Sequence, residues 1–377
     1  MRNLKSFKAL AIGTALALSV SGVVATNSWA ADSGAADNAH DRTSMVPKPG
    51  EIKAPEQKNV IVQGASPAPN IGYLPLYVGQ KMGYFGEEGL EVKINYSHGD
   101  SAPLQAINAG QAQIMSGTPE ALIRGYQNGL RGVLFYQTYK KLIFSVAAPE
   151  GGKIKSPADL AGKTIGVSSI ASTGVIIAKV LARDAGVDEK SVKFLPVGVG
   201  QQALGALKSG QVDALALWDS AYSQIEAAGK LKLVYWQPKR LANVGDGGYF
   251  TSWKLIKSQP NTLAHFTRAI AKSMVLIHAE PKKALQIYWG VNPSAKPKGT
   301  EEHALETGLK QLEVVGRSLD ISGMPESVDK KNLNTYVQVF MEQGLIKSAP
   351  SVDDIVTNAF VPIAEQAAQE ATKALVK

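Results

Sequence analysis

The 377 residues carry 40 Lys and Arg against 32 Asp and Glu, a net charge of +8, and no cysteine. Without cysteine there are no disulfides, no thiolate metal sites and no lipidated amino terminus. The positive excess is spread out, with nothing denser than pairs such as Lys140-Lys141, which excludes the basic stripe of a nucleic-acid-binding protein.

The chain opens with Arg2, Lys5 and Lys8, then an apolar run from Ala9 to Val24, then Ser28-Trp29-Ala30. That order is the charged, apolar and small-residue pattern of a cleaved export signal spanning 1–30, with Ala31 the expected first mature residue. The competing reading is an uncleaved anchor helix, but Gly13, Thr14, Ser19 and Ser21 interrupt a run already short for a bilayer. Removing the signal leaves a charge of +5. Export, and the lack of any later apolar span, point to the periplasm of a bacterium with two membranes and to a monomer free in solution.

Residues 31–58 are rich in Ala, Gly, Asp, Pro and Lys and lack apolar periodicity, which predicts a flexible amino-terminal arm. From Asn59 onward short β-branched strands alternate with amphipathic helices. Strands are expected at Val60–Val62, Leu90–Tyr96, Ala112–Met115 and Val133–Tyr136. The helices between and after them are Pro75–Met82, Ala102–Ala109 and Pro119–Gln127. The alternation restarts after Gly151-Gly152. Strands Thr164–Val167, Val192–Leu195 and Ala214–Leu217 then alternate with helices Thr173–Ala185, Gln201–Lys208 and Ser220–Ala228. Such alternation implies an α/β fold with mostly parallel sheets covered by helices. Leu104–Gln113 lines up with Leu204–Asp213, each a helix stopped by glycine (Gly110, Gly210) before a short turn. The repeat predicts two similar lobes facing each other across a cleft, or else marks two helices of common composition.

Three further blocks carry a family likeness. Pro75-Leu76-Tyr77-Val78 with Gly83-Tyr84-Phe85 and Glu88-Gly89-Leu90-Glu91-Val92 looks like the opening of the nitrate/sulfonate/taurine-type substrate-binding proteins. Ser156–Lys163 resembles the entry to that family's second lobe, and Gly210–Ala214 its later turn. Gln113 departs from the family's usual Asp. The likeness extends to binding proteins for thiamine-pyrimidine precursors.

The resemblance implies a periplasmic-binding-protein fold with lobe 1 from 59–147 and 248–377 and lobe 2 from 148–247. The chain would cross near Phe144–Glu150 and again near Asp246–Ser252, with helices Pro260–Ala279 and Lys282–Tyr288 returning to lobe 1. It implies a small-molecule ligand, of the nitrate, sulfonate, taurine, pyrimidine or aromatic-acid kind, delivered to an inner-membrane ABC permease and its ATPase. A ligand sensor for a membrane receptor is the alternative. Yeast thiamine-pyrimidine synthases of similar build depend on a cysteine-rich iron motif, which this chain lacks.

Enzyme motifs fail one by one. Gly166-Val167-Ser168-Ser169-Ile170 lacks the closing glycine of a nucleophile elbow, and the five histidines form no HExxH. Gly198-Val199-Gly200 after a strand, with Asp219 later, imitates a dinucleotide fingerprint. It reads better as a cleft-edge loop launching a helix. No enzyme activity, cofactor or metal is expected.

Ligands of such sheets bind beyond the carboxyl ends of the strands. On the first lobe that edge offers Ser66, Tyr73, Asp100, Ser101, Thr118 and Glu120, with Tyr249 on the return segment. The second offers Ser168, Ser169, Ser172, Thr173, Gly200, Trp218 and Asp219. Most precede a helix, where free N–H groups and the positive dipole end favour an anionic head group without an arginine. Ser101, Ser172, Thr173 and Ser220 serve equally as plain helix caps. Trp218, Tyr73, Tyr249 and Phe135 form either an aromatic wall or core packing, and Asp219 and Glu120 accept a ligand donor or a helix N–H.

Overall fold

The computed structural model describes residues 42–375 apart from Pro67, His98, Asp100, Ala171, Lys230, Ile321 and Ser322. The export signal and residues 31–41 lie outside the described residues. In chain order the strands are β1 (Asn59–Gly64), β2 (Glu91–Tyr96), β3 (Ile114–Gly117), β4 (Val133–Tyr139) and β5 (Phe144–Pro149). Then come β6 (Thr164–Val167), β7 (Lys193–Pro196), β8 (Ala214–Trp218), β9 (Leu233–Trp236) and β10 (Gly247–Thr251). They form two five-stranded sheets, β2-β1-β3-β10-β4 and β7-β6-β8-β5-β9. In each sheet one strand, β10 or β5, runs against the other four, so both are mixed.

The expected strands and helices through Gly229 occur in the expected order, with ends moved by at most three residues. Strands β5, β9 and β10 were not anticipated. β5 is buried along nearly its whole length and shows no alternation, β9 is short, and β10 opens on two glycines that read as loop. Gly248 is required there by close approach: a Cβ would sit 2.2 Å from Tyr136 O.

The internal repeat is structural. Gln111 N and Ala112 N both donate to Ala106 O, as Gln211 N and Val212 N do to Ala206 O. Gln113 then exchanges bonds with Ile61, accepting its N–H on Oε1 at 2.8 Å, and Asp213 does the same for Thr164 at 2.9 Å. The side chain that departs from the family pattern thus makes the bond of its counterpart.

In the second lobe β8 alternates small and large residues. Ala214 and Ala216 pack on the side of helix Thr173–Asp184, while Leu215 and Leu217 face helices Gln201–Lys208 and Asp219–Gly229. The small face admits a close approach, since a Cβ on Gly174 would fall 2.2 Å from Ala216 O. In the first lobe Phe266 of helix Pro260–Ala279 is ringed by Phe85, Phe135 and Tyr249 at 5.5, 6.2 and 5.1 Å. Burying such aromatics supplies much of that core's cohesion.

Two expectations need correction. The chain leaves the first sheet between Tyr139 and Phe144 and returns between Trp236 and Gly247. Phe144–Ala147 therefore belongs to the second sheet, pairing with β8, and Gly247 to the first. The arm is also not loose from residue 42 onward. Glu56 accepts from Asn261 N (3.1 Å) and Thr262 N (2.7 Å), capping helix Pro260–Ala279, whose own Gln259 provides no side-chain cap. Lys53 O meets His265 Nε2 at 2.8 Å, and Arg42 pairs with Asp354 while lying over Trp253. These partners are some 200 residues away or more, so no local pattern could reveal the docking.

Beside the arm, Glu88 is buried among His265 (2.8 Å), Arg268 (3.0 Å) and Lys272 (2.8 Å). Burial alone would raise its carboxyl, but the bonds from His265 and Lys272 and the charges of Lys272 and Arg268 win and hold it at about 2. A depressed acid stabilises the fold above its unfolded value near 4.5 and loses that contribution as pH falls toward about 2. The raised His265 acts oppositely, contributing at low pH and fading as pH rises through its folded value. Glu88→Gln leaves Arg268 and Lys272 only the more exposed Glu370 and Glu87, and should cost about 3 kcal/mol at pH 7. Thermal melts at pH 7 and pH 3 should show that gap narrowing in acid; an equal gap at both pH values contradicts the assignment.

Candidate ligand-binding cleft

Strands β1, β2, β3 and β4 end at one edge of the first sheet, and β6, β7 and β8 end at one edge of the second. Both crossings join these two edges. The first, Lys140–Ile143, runs from the end of β4 to the start of β5, where Phe144 pairs with Trp218 at the end of β8. The second, Gln237–Asp246, runs from the end of β9 to the start of β10, where Gly247 pairs with Tyr139. The crossings are also tied together. Gln237 Nε2 donates to Leu142 O (2.8 Å) and Phe144 O (2.9 Å), and Asp246 Oδ2 accepts from Ile143 N (3.2 Å). The two carboxyl edges are thus held next to each other on short tethers, and the space between them is the candidate cleft.

On the first-lobe edge, Ala65 N donates to Ser116 O, Ser97 N to Ser66 O and Gly99 N to Ala65 O, which knits three loops into one platform. Ser66 lies there, and Tyr73 supports it from below, its hydroxyl accepting from Ser66 N at 2.7 Å. Tyr73 is itself buried, so it shapes the loop more than it meets solvent. Ser101 is exposed as the first residue of helix Ser101–Asn108, and Thr118 is buried at the end of β3. Asp100 lies outside the described residues. Glu120 is buried and paired with Arg124 one turn along its helix (2.7 Å), which favours the helix-charge reading over a ligand role.

The aromatic wall is not assembled. Tyr249 is 2% exposed, packed against Tyr136 and Phe266, and Phe135 is clasped between Phe266 and Phe360. Both side chains are drawn into the first-lobe core, because β10 and β4 turn those positions toward helix Pro260–Ala279. Tyr249 is therefore withdrawn from the site. Tyr139, which the sequence reading missed by ending β4 three residues early, stands at the edge instead, its hydroxyl donating to Gly72 O at 3.1 Å.

On the second-lobe edge, Ser168 and the exposed Ser169 follow β6, and Ser169 O accepts from Ser172 N (3.1 Å). Ser172 occupies the N-cap of helix Thr173–Asp184, yet its hydroxyl makes no capping bond; Oγ is buried with no hydrogen-bond partner among the described residues. Thr173 is buried at the first helical position. Gly200 caps helix Gln201–Lys208 at φ 59°, a left-handed value that glycine alone adopts freely. Ile170 and Val199 on these neighbouring loops are exposed at 57% and 39%.

Trp218 ends β8 and meets Phe144 edge-on at 5.9 Å. Asp219 opens the next helix beside it, with the Ser318 hydroxyl donating to Oδ2. Burial pushes its carboxyl up to about 7, against the lowering pull of the Ser318 hydroxyl and the Arg317 charge. Ser318 and Arg317 lie 99 and 98 residues downstream, in a region without a sequence signal for the cleft. A separate open hollow of about 620 Å³, lined by Val60, Phe85 and Val92 among others, sits at the opposite ends of β1 and β2. Among the described residues no group of His, Cys, Asp or Glu could hold a metal ion, and no helix is long and apolar enough to cross a membrane.

Residues 70–284 match the family model described as NMT1/THI5 like. The chain belongs to that family. The formylaminopyrimidine-binding protein of Halalkalibacterium halodurans is 30% identical over 148 residues, covering 39% of this chain and 44% of that one. The riboflavin-binding protein RibY of Chloroflexus aurantiacus is 24% identical over 304 residues, covering 78% and 84%. In structure, the periplasmic aliphatic sulphonate binding protein SsuA of Escherichia coli superimposes with a TM-score of 0.65 at 14% identity, covering 80% of this chain and 93% of that one. That likeness establishes the fold as a two-lobed periplasmic-binding-protein fold.

The geometry separates the two readings of Ser172. A capping serine replaced by alanine costs about 1 kcal/mol. Here no capping bond exists to lose, so Ser172→Ala should leave the unliganded melting temperature unchanged. A lost hydrogen bond to a charged head group should weaken binding roughly ten- to a hundred-fold. Paired melts and calorimetry check this; lower stability with full affinity would restore the capping role.

Proposed function

We propose that the chain is an exported solute-binding protein that captures a small organic molecule between its lobes and delivers it unchanged to an ABC importer. The observation that carries this reading is that both crossings join the carboxyl edges of the two sheets. Helix starts and loops from both lobes therefore converge on one cleft, which hinge motion can close. Its place is the periplasm, in agreement with the charged and apolar amino-terminal pattern and with the periplasmic origin of the sulphonate-binding neighbour.

The second lobe supplies the head-group site. Ser172 Oγ has no partner among the described residues, and it adjoins the positive end of a helix of 12 residues. The edge loops carry no Lys or Arg, so an acidic group there is met by dipoles and hydroxyls. Trp218, at the end of the neighbouring strand β8, offers a ring for a flat or apolar body. A carboxylate or sulfonate on an organic body fits this arrangement better than a bare inorganic anion. The ring-bearing compounds in the names of the curated relatives agree on the organic body. The reading as a non-enzyme rests on the lack of cysteine, which removes the iron motif of similarly built synthases, and on the failed catalytic motifs.

A ligand that binds only the folded protein raises the melting temperature with the logarithm of its concentration. Screening sulfonates, carboxylates, aminopyrimidines and flavins by thermal melt should give at least one organic hit, recovered with its mass unchanged. Turnover of that hit by the purified protein, or stabilisation by inorganic anions alone, would contradict the proposal.

A further inference from the structure

The segment that follows helix Glu301–Val315 runs along the free edge of β4. Lys140 N donates to Ser318 O (2.8 Å), Asp320 N donates to Thr138 O (2.7 Å), and Leu319 bridges Tyr139. These bonds fix Ser318 to the first lobe. Its hydroxyl nevertheless donates to Asp219 Oδ2, on the helix that opens at the end of β8 in the second lobe. Asp219 N in turn donates to Ile143 O in the first crossing (3.1 Å). One residue before Ser318, Arg317 lies over the ring of Tyr235 on β9, 5.7 Å from its centroid. Helix Glu301–Val315 also packs on helix Asp219–Gly229, so this polar pair lies at the end of a helix–helix contact between the lobes, next to Trp218.

We propose that Asp219 and Ser318 are positioning residues, a clasp that holds the second lobe against the first and loosens as Asp219 gives up its proton. The inference rests on the two-lobed reading above but requires no ligand. Every group facing the carboxyl bears on it. Arg317 faces it from the return segment, Tyr139 from the end of β4, and Tyr222 from its own helix. Both tyrosines are pushed well above their usual range and stay neutral, and Arg317 also lies over the Tyr235 ring. A carboxylate there loses more hydration than these groups return, whereas in an opened cleft water reaches it.

The sign follows from linkage. The clasped acid titrates at about 7 through burial, against about 4 for an exposed aspartate. The clasped form holds its proton more tightly, so it is favoured at low pH and weakens as pH rises from about 4 to about 7. Across that window the opening equilibrium should grow by up to about tenfold per pH unit, and it should level off above it.

With no native cysteine, two introduced ones carry spin labels without background. Gln105→Cys and Lys208→Cys are exposed positions on corresponding helices of the two lobes. Pulsed dipolar spectroscopy of the unliganded protein should show longer, broader distances at pH 8 than at pH 5. Asp219→Asn, which cannot ionise, should keep the pH 5 distribution at both. Ser318→Ala should lengthen the distances already at pH 5, and Ser318→Thr, which retains the hydroxyl, should restore them. Identical wild-type distributions at the two pH values, or an Asp219→Asn variant that follows pH as the wild type does, would overturn the clasp. A failed ligand screen would leave these distances untouched, so the two failures are distinguishable.

Discussion

Four residues, Lys140–Ile143, and ten more, Gln237–Asp246, are the whole of the tether between the two sheets, and side chains staple each to the other. Because both start and finish at carboxyl edges, the helix starts of the two lobes are obliged to face one space. Nothing in either lobe's packing demands this. A crossing that entered the second sheet from its other edge would leave each lobe intact and the molecule without a cleft. Gln237 and Asp246 tie the tethers together at points where the backbone would otherwise present buried, unpaired groups.

Around that hinge the two lobes are bound by contacts of different character. On one side an apolar cluster crosses from Met115 and Phe250 through Tyr336 and Phe340 to Ile176 and Ile177, so helix Lys330–Glu342 serves both lobes. On the other, helix Glu301–Val315 packs against helix Asp219–Gly229, and beyond its end the buried Ser318 hydroxyl meets the Asp219 carboxyl. Apolar burial resists separation in proportion to area, whereas a buried acid is stable there only while it remains neutral.

Much of the fold was legible because its cause is local. The helix–glycine–strand unit recurs at Gly110 and Gly210, and both copies form the same bonds, down to Gln113 standing in for Asp213. What escaped notice depends on distant partners. Glu56 caps a helix some 200 residues away, and the environment of Asp219 is made by Arg317 and Ser318. The site residues divide the same way. Ser172 and Gly200 lie where the strand–helix pattern puts them, while Tyr249 falls into the core through the register of β10 against β4, which no single segment encodes.

The central claim is that this chain closes on one small molecule and does not transform it. Native mass spectrometry of the protein isolated from its own cells addresses this whatever the ligand's identity. The account predicts a single adduct per chain, of small-molecule mass, released intact on denaturation and lost or weakened in the Ser172→Ala protein. A persistently bare chain after exposure to cell extract, or release of a molecule altered from the one supplied, would contradict it.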